Sequence, residues 1–139
     1  MRLEGKIGIV TGAAKGMGSA ITRALVREGA DLVLAARDLE PLDQLAEELR
    51  AGGRRAETVV TDVTDEAAVK AMVERTLEVY GGRIDILVNV AGVTGPIETP
   101  VWEIEREDYL DVLTGNVLGT FLPSSTCCRR WWRSAAAGS

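Results

Sequence analysis

A glycine turn set between an apolar run and an amphipathic helical pattern constrains this chain most. Ile7, Ile9 and Val10 lead into Thr11-Gly12-Ala13-Ala14-Lys15-Gly16-Met17-Gly18, and Ala20, Ile21, Ala24 and Leu25 follow at helical spacing. A strand, a glycine turn and a helix in that order form a site for the diphosphate of a nucleotide. Glycines let the backbone turn sharply and approach the ligand, and the helix start offers free N–H groups at the positive end of its dipole. The spacing is G-x-x-x-G-x-G, not the commoner G-x-G-x-x-G, and a tight strand-to-helix turn without a ligand can also use glycines.

The pattern repeats down the chain. Asp31 to Ala36 reads as a second buried strand, Arg55 to Val60 as a third, and Ile84 to Val90 as a fourth, closed by Ala91-Gly92. Between them, Leu42, Leu45, Ala46 and Leu49 fall on one helical face, after Asp38 as N-cap and Pro41 in the first turn. Val69, Met72, Val73, Leu77 and Tyr80 fall on another, which Gly81-Gly82 ends. Strands alternating with helices imply parallel strands joined by right-handed crossovers, and apolar strands suit a sheet buried on both faces. The fold class expected is α/β: a doubly wound, Rossmann-like parallel sheet, truncated after about four strands.

In order and spacing, residues 3 to about 122 resemble the short-chain dehydrogenases/reductases. The turn fits that family's T-G-x-x-x-G-x-G, and Asp62-Val63 resembles its adenine-contacting Asp and the residue after it. Asn89-Val90-Ala91-Gly92 resembles its N-N-A-G, with Val90 in place of the second Asn. Asn116-Val117-Leu118-Gly119-Thr120-Phe121 resembles the segment carrying its catalytic Asn. The resemblance implies a cofactor site at Gly12, Lys15, Gly16, Met17, Gly18, Arg37, Asp62, Val63, Asn89, Ala91 and Gly92. It also implies hydride transfer between a nicotinamide cofactor and a small carbonyl/alcohol substrate.

Cofactor choice follows from charge. Ala36 occupies the position where NAD-preferring relatives carry an Asp, and Arg37 follows it. With Lys15 in the turn, two cations and no carboxylate favour NADP(H) over NAD(H), because a guanidinium grips phosphate through forked hydrogen bonds. Asp38 next door partly offsets that preference. The alternative for both cations is plain surface solvation.

The resemblance also implies a catalytic Ser, a Tyr-x-x-x-Lys pair and an Asn. The pairing makes chemical sense, because a phenol of pKa near 10 needs an adjacent cation to work near neutrality. Here the tyrosines are Tyr80 and Tyr109 and the lysines Lys6, Lys15 and Lys70, so no Tyr-x-x-x-Lys exists. Of the four, only Asn116 carries over as catalytic. It lies beside Val112, Leu113 and Val117 on a face expected to pack on the sheet, while Tyr80 and Tyr109 read as packing residues. The function expected is an oxidoreductase by lineage, inactive as these residues stand. The alternative is a non-catalytic nucleotide-binding module or gene remnant.

Residues 122–139 read differently from the domain at 1–121. Cys127-Cys128, Trp131-Trp132 and Arg129, Arg130 and Arg133 show no helical or strand period, so an irregular tail is expected. The genetic code suggests a cause. If the last base of each codon is read with the first two of the next, Cys-Cys must encode Leu and Trp-Trp must encode Val. The whole shifted frame can then read Q-Q-Y-L-L-P-A-M-V-E-K-R-G-G-G-I, an amphipathic helix followed by a glycine turn. A frameshifted gene end and a divergent tail both remain open. Without histidine or a second Cys pair, the vicinal cysteines do not complete a zinc site, and no metal is expected.

Composition sets the remaining bounds. A net charge of -5 argues against nucleic acid as a partner, and no apolar run reaches membrane-spanning length. The absence of a signal peptide or a disulfide framework suits a cytoplasmic location. Strand four, with Ile84, Ile86 and Val88, is expected to form an open apolar edge, inviting homo-oligomerisation or aggregation.

Overall fold

The computed structural model describes residues 1–137. Its strands β1 (Ile7–Thr11), β2 (Asp31–Ala36), β3 (Ala56–Val60) and β4 (Ile86–Asn89) form one parallel sheet in the order β3-β2-β1-β4. Helices α1 (Gly16–Arg27), α2 (Leu39–Ala51) and α3 (Glu66–Val79) connect them. After β4 come a 3-10 turn (Val101–Glu103), α4 (Arg106–Leu113), a π-helical turn (Thr114–Leu118) and α5 (Gly119–Ala137). The doubly wound, Rossmann-like expectation holds.

Two-residue alternation along the strands splits the core in two. Ile9, Val33 and Ala35 face one way and pack with Val69, Met72 and Val73 of α3. Val10, Leu32 and Leu34 face the other and pack with Leu42, Leu45, Ala46 and Leu49 of α2. Ile9, Val10, Leu32, Val33 and Leu34 are all fully buried, and each such side chain contributes about 1.5–3 kcal/mol relative to exposure. β1 lies between β2 and β4, so every layer meets it.

Local signals set the helix ends. Asp65 caps α3, its carboxylate accepting from the amides of Ala67 (2.9 Å) and Ala68 (3.3 Å). Gly81 and Gly82 follow that helix with φ of 68° and 84°, a region open to glycine. Asp38 stands at the N-cap of α2, as its position suggests, but its side chain makes no capping bond. Before β4, Asp85 accepts the Ile7 amide (2.8 Å) and donates its own amide to the Ile7 carbonyl (2.8 Å), pinning the strand start to β1.

The tail departs from expectation. It is helical to Ala137, and α5 passes through residue 122 without a break, so no boundary separates 1–121 from the described part of 122–139. Gly119, Pro123 and Cys127 are buried at four-residue spacing, and Trp131 continues the seam by donating its indole N–H to the Ile84 carbonyl (2.7 Å). That seam is a helical period written in residues of poor helical or hydrophobic signal. Pro123 even removes the amide that would bond Gly119. Packing over α3 and β4 decides the conformation instead. Residues 138 and 139 lie outside the described part.

Two other expectations need correction. Tyr109 is 59% exposed, on a helix with no buried residue, so it does not pack a core. Asn116 is exposed and does not lie on the sheet; both ends of its amide are bound to Val93. Tyr80 is a packing residue as expected, buried with its hydroxyl donating toward the carbonyls of Leu32 (3.0 Å) and Arg55 (3.2 Å).

Burial pushes the Tyr80 phenol up to about 12, with Asp31 adding repulsion and Arg55 opposing it. The folded state therefore holds this proton more tightly than the unfolded chain does. Its stabilisation is full below about pH 10, the unfolded value, and is lost as pH rises through the folded value. Urea denaturation across that window should show stability falling. Tyr80→Phe should flatten the fall, and near neutrality it should lower stability by about 1 kcal/mol through the lost hydroxyl bonds.

Candidate functional site

A cleft of about 260 Å³ opens at the C-terminal ends of the strands, where doubly wound sheets place their ligands. Gly12, Ala14 and Lys15 line it from the turn after β1, Ala36, Arg37 and Asp38 from the end of β2, and Thr61 to Thr64 from the end of β3. Ala91, Gly92 and Val93 close it from the end of β4, with Gly115 beyond them.

Steric limits explain the glycines. Gly12 has φ of 65°, and a Cβ there would stand 2.6 Å from the Ala91 amide nitrogen. A Cβ on Gly18 would run into the Gly12 carbonyl, so α1 lies directly against its own turn. Gly16 differs. Its φ is 52°, and a Cβ there would meet nothing within 4 Å, leaving open space above the start of α1. That helix start has no side-chain cap and no acidic residue in its first turn. Its amides and the positive dipole end are thus available to an anion.

Charge in the cleft is mixed. Lys15 Nζ lies 3.7 Å from Asp38 Oδ2, and both side chains are more than 70% exposed, so the pair is weak and screened by salt. Asp62 accepts from the hydroxyl (2.7 Å) and amide (2.9 Å) of Thr64, which hold its carboxyl below the usual range, with Arg37 adding a smaller pull. Asp62 is therefore a charged acceptor at neutral pH.

The mouth beside β4 is built by a bracket of hydrogen bonds. Asn116 Oδ1 accepts the Val93 amide (2.8 Å), and Asn116 Nδ2 donates to the Val93 carbonyl (2.9 Å). Two glycines make room for it. A Cβ on Gly92 would come 2.6 Å from Asn116 Oδ1, and one on Gly115 would come 2.8 Å from Val93 Cγ2. Asn116 sits inside the π-helical turn, a local widening frequent at functional sites. From the other side, the Thr11 hydroxyl accepts the amides of Val90 (3.2 Å) and Ala91 (3.4 Å), tying the end of β4 to β1.

Of the residues expected at the site, Gly12, Lys15, Arg37, Asp62, Val63, Ala91 and Gly92 meet in the cleft. Gly16, Met17 and Gly18 form the start of α1 beside it, with the Met17 side chain 74% exposed. Asn89 does not line it. Its Nδ2 donates to Ser124 Oγ (3.0 Å), and its Oδ1 is buried with no hydrogen-bond partner among the described residues. Ala14, Thr61, Thr64 and Gly115 line the cleft without having been singled out, and Thr11, the first residue of the recognised turn, braces it. Thr64 adjoins Val63 of a recognised motif, and that adjacency is the signal that could have found it.

With the bracket removed, Val93 loses its side-chain partner. Asn116→Ala should therefore raise the hydrogen-exchange rate of the Val93 amide by roughly tenfold, the effect of one lost bond, while the core amides of β1 keep theirs. An unchanged Val93 rate would deny the bracket its role.

The family described as short chain dehydrogenase matches residues 6–139. The 3-oxoacyl-(acyl-carrier-protein) reductase FabG of Thermotoga maritima is 38% identical over 121 residues, covering 87% of this chain and 48% of that protein. Gluconate 5-dehydrogenase of Gluconobacter oxydans is 38% identical over 130 residues, covering 91% and 48%. A crystal structure of a short chain dehydrogenase from Mycobacterium smegmatis superposes with a TM-score of 0.86 at 36% identity, over 93% of this chain and 53% of that one. Another, from Burkholderia cenocepacia in complex with NADP, gives 0.83 at 33% identity, over 93% and 52%. The chain thus spans about half the length of the curated relatives it matches. It belongs to the short-chain dehydrogenase family, whose members bind nicotinamide cofactors.

Proposed function

We propose that this chain is the nucleotide-binding half of an NADP(H)-dependent oxidoreductase acting on a small carbonyl/alcohol pair, and that these 139 residues bind the dinucleotide without turning it over. The observation that carries this reading is the uncapped start of α1 beneath a glycine turn, facing a cleft that holds Lys15 and Arg37. The cofactor, when bound, supplies or accepts the hydride.

The chain's own residues then divide the work. Gly12, Gly16 and Gly18 admit the diphosphate, and the amides at Gly16 and Met17 donate to it. Asp62 accepts from the adenine amino group, with Val63 beside it. Ala91 and Gly92 border the path toward the nicotinamide, and Asn89 supports them from beneath. Arg37 and Lys15 grip the 2′-phosphate. A phosphate dianion competes well for Lys15 because the Asp38 pair is exposed and weak.

Asn116, expected to be catalytic, acts here as a positioning residue. Both ends of its side-chain amide hold Val93, and so it shapes the mouth of the site. Proton transfer would need a tuned phenol. Tyr80 is buried in the core with its pKa raised, the opposite of what catalysis needs, and no Lys stands four residues after either Tyr. Binding without turnover follows. A cytoplasmic setting goes with this reading, and no described helix is long and apolar enough to cross a membrane.

Fluorescence titration with NADPH and NADH tests the proposal. NADPH should bind more tightly, and no NADPH oxidation should accompany it with small aldehydes or ketones. Arg37→Ala should raise the Kd for NADPH by about tenfold or more, the loss of a charge-assisted pair, and leave NADH within about twofold. Equal effects on both cofactors would remove the 2′-phosphate assignment. Failure to bind either would remove the nucleotide reading.

A further inference from the structure

A groove of about 390 Å³ runs between α3 and α5 and shares no lining residue with the cofactor cleft. Val73 and Leu77 of α3 and Phe121 and Leu122 of α5 give it an apolar lining, with Phe121 59% exposed. Its volume falls within the range of small-molecule sites, about 300–1,000 Å³. Arg129, Arg130 and Arg133 line it too, although the chain as a whole carries a net charge of -5.

These three arginines differ from those of the domain before them. Arg2, Arg23, Arg54, Arg75 and Arg83 meet carboxylates at 2.6 to 3.3 Å. Arg50 and Arg55 donate to the carbonyls of Ala56 and Val79. No described carboxylate lies within ion-pair distance of Arg129, Arg130 or Arg133, and Arg129 reaches only Ser125 Oγ, at 3.5 Å. Arg133 stands four residues after Arg129 and three after Arg130, spacings at which like charges repel along a helix. One anion seated among them would turn that repulsion into attraction, because guanidinium forks match phosphate oxygens. A phosphate offers three terminal oxygens and nearly two charges to three guanidiniums, where a carboxylate offers less of both.

The opposite wall limits the size of the occupant. On α3, Lys70 is paired with Glu66 at 3.0 Å, and Glu74 adds a second carboxylate. An extended anionic surface, of a bilayer or a protein, would meet those carboxylates as well as the arginines. A small headgroup meets the arginines alone. Leu122 and Arg129 stand about 10 Å apart along α5, so apolar lining and charge follow one another down the groove. We propose that the α3–α5 groove binds a small amphipathic anion of the alkyl phosphate class. Its phosphate sits among Arg129, Arg130 and Arg133, and its chain lies over Leu77, Leu122 and Phe121. This site stands independently of the nucleotide reading.

Calorimetric titration of the 139-residue chain with decyl phosphate, below its micelle concentration and at low salt, tests the proposal. Binding should saturate at one site, and hexyl phosphate and inorganic phosphate should each bind at least about tenfold more weakly. Arg129→Gln and Arg133→Gln should each weaken decyl phosphate by about tenfold, the loss of a charged hydrogen bond. Phe121→Ala should weaken decyl phosphate and leave inorganic phosphate within about twofold. Should a Gln variant fail to fold, Arg129→Lys, which keeps the charge and loses the fork, should still weaken binding. Arg37→Ala should leave decyl phosphate binding within about twofold. No binding of decyl phosphate, equal affinity for the two chain lengths, or unaltered binding in all the α5 arginine variants would overturn the proposal. So would a loss in Arg37→Ala alone, which would put the anion in the cofactor cleft. Binding to phosphatidylglycerol vesicles but not to free decyl phosphate would overturn it as well, since a lipid surface would then be the occupant.

Discussion

The close approach of the β1–α1 turn to the end of β4 is the constraint on which the site depends. Gly12 passes so near Ala91 that no side chain fits between them, and the Thr11 hydroxyl accepts two successive amides from β4. Those contacts bring two chain segments nearly eighty residues apart into one wall of a cleft. They also fix where α1 begins, because Gly18 lies against the Gly12 carbonyl. Larger residues at these glycines would move the helix start away from the cleft, and with it the amides that make the cleft attractive to an anion.

Electrostatics in the cleft is a contest between weak, exposed partners. Lys15 leans toward Asp38 at 3.7 Å, while Arg37 lies near Asp62, whose charge the Thr64 turn already stabilises. None of these side chains is locked by burial. An incoming dianion can therefore reorganise them at little cost, unlike the apolar core beneath, where the fully buried side chains leave no such freedom.

Beyond β4 the structure is held less firmly. The crossover from α4 to α5 keeps its place through a few specific contacts: the Asn116 bracket on Val93, Asn89 to Ser124, and the Trp131 indole on Ile84. Its outer surface carries Leu113, Val117 and Phe121 without cover. Uncovered apolar side chains and an open strand edge each favour association.

The order of strands and helices, their parallel pairing and the glycine turn were legible in the sequence, because each is written in local periodicity or in residues that few other conformations need. Seven of the residues that meet in the cleft were legible for the same reason. Three things were not. The tail is helical because Gly119, Pro123, Cys127 and Trp131 find a surface on α3 and β4, and none of those residues announces a helix on its own. Asn116 turned out to hold Val93 because Gly92 and Gly115 let the two segments touch, a coincidence of distant residues that no window of sequence contains. Asn89 left the cleft for the space under α5, since its side chain follows the pleat of β4 and faces Ser124. Local rules of backbone and periodicity thus determined the elements and their order. Contacts between residues far apart in the chain decided which side chains face the site, which brace it and which edge stays open.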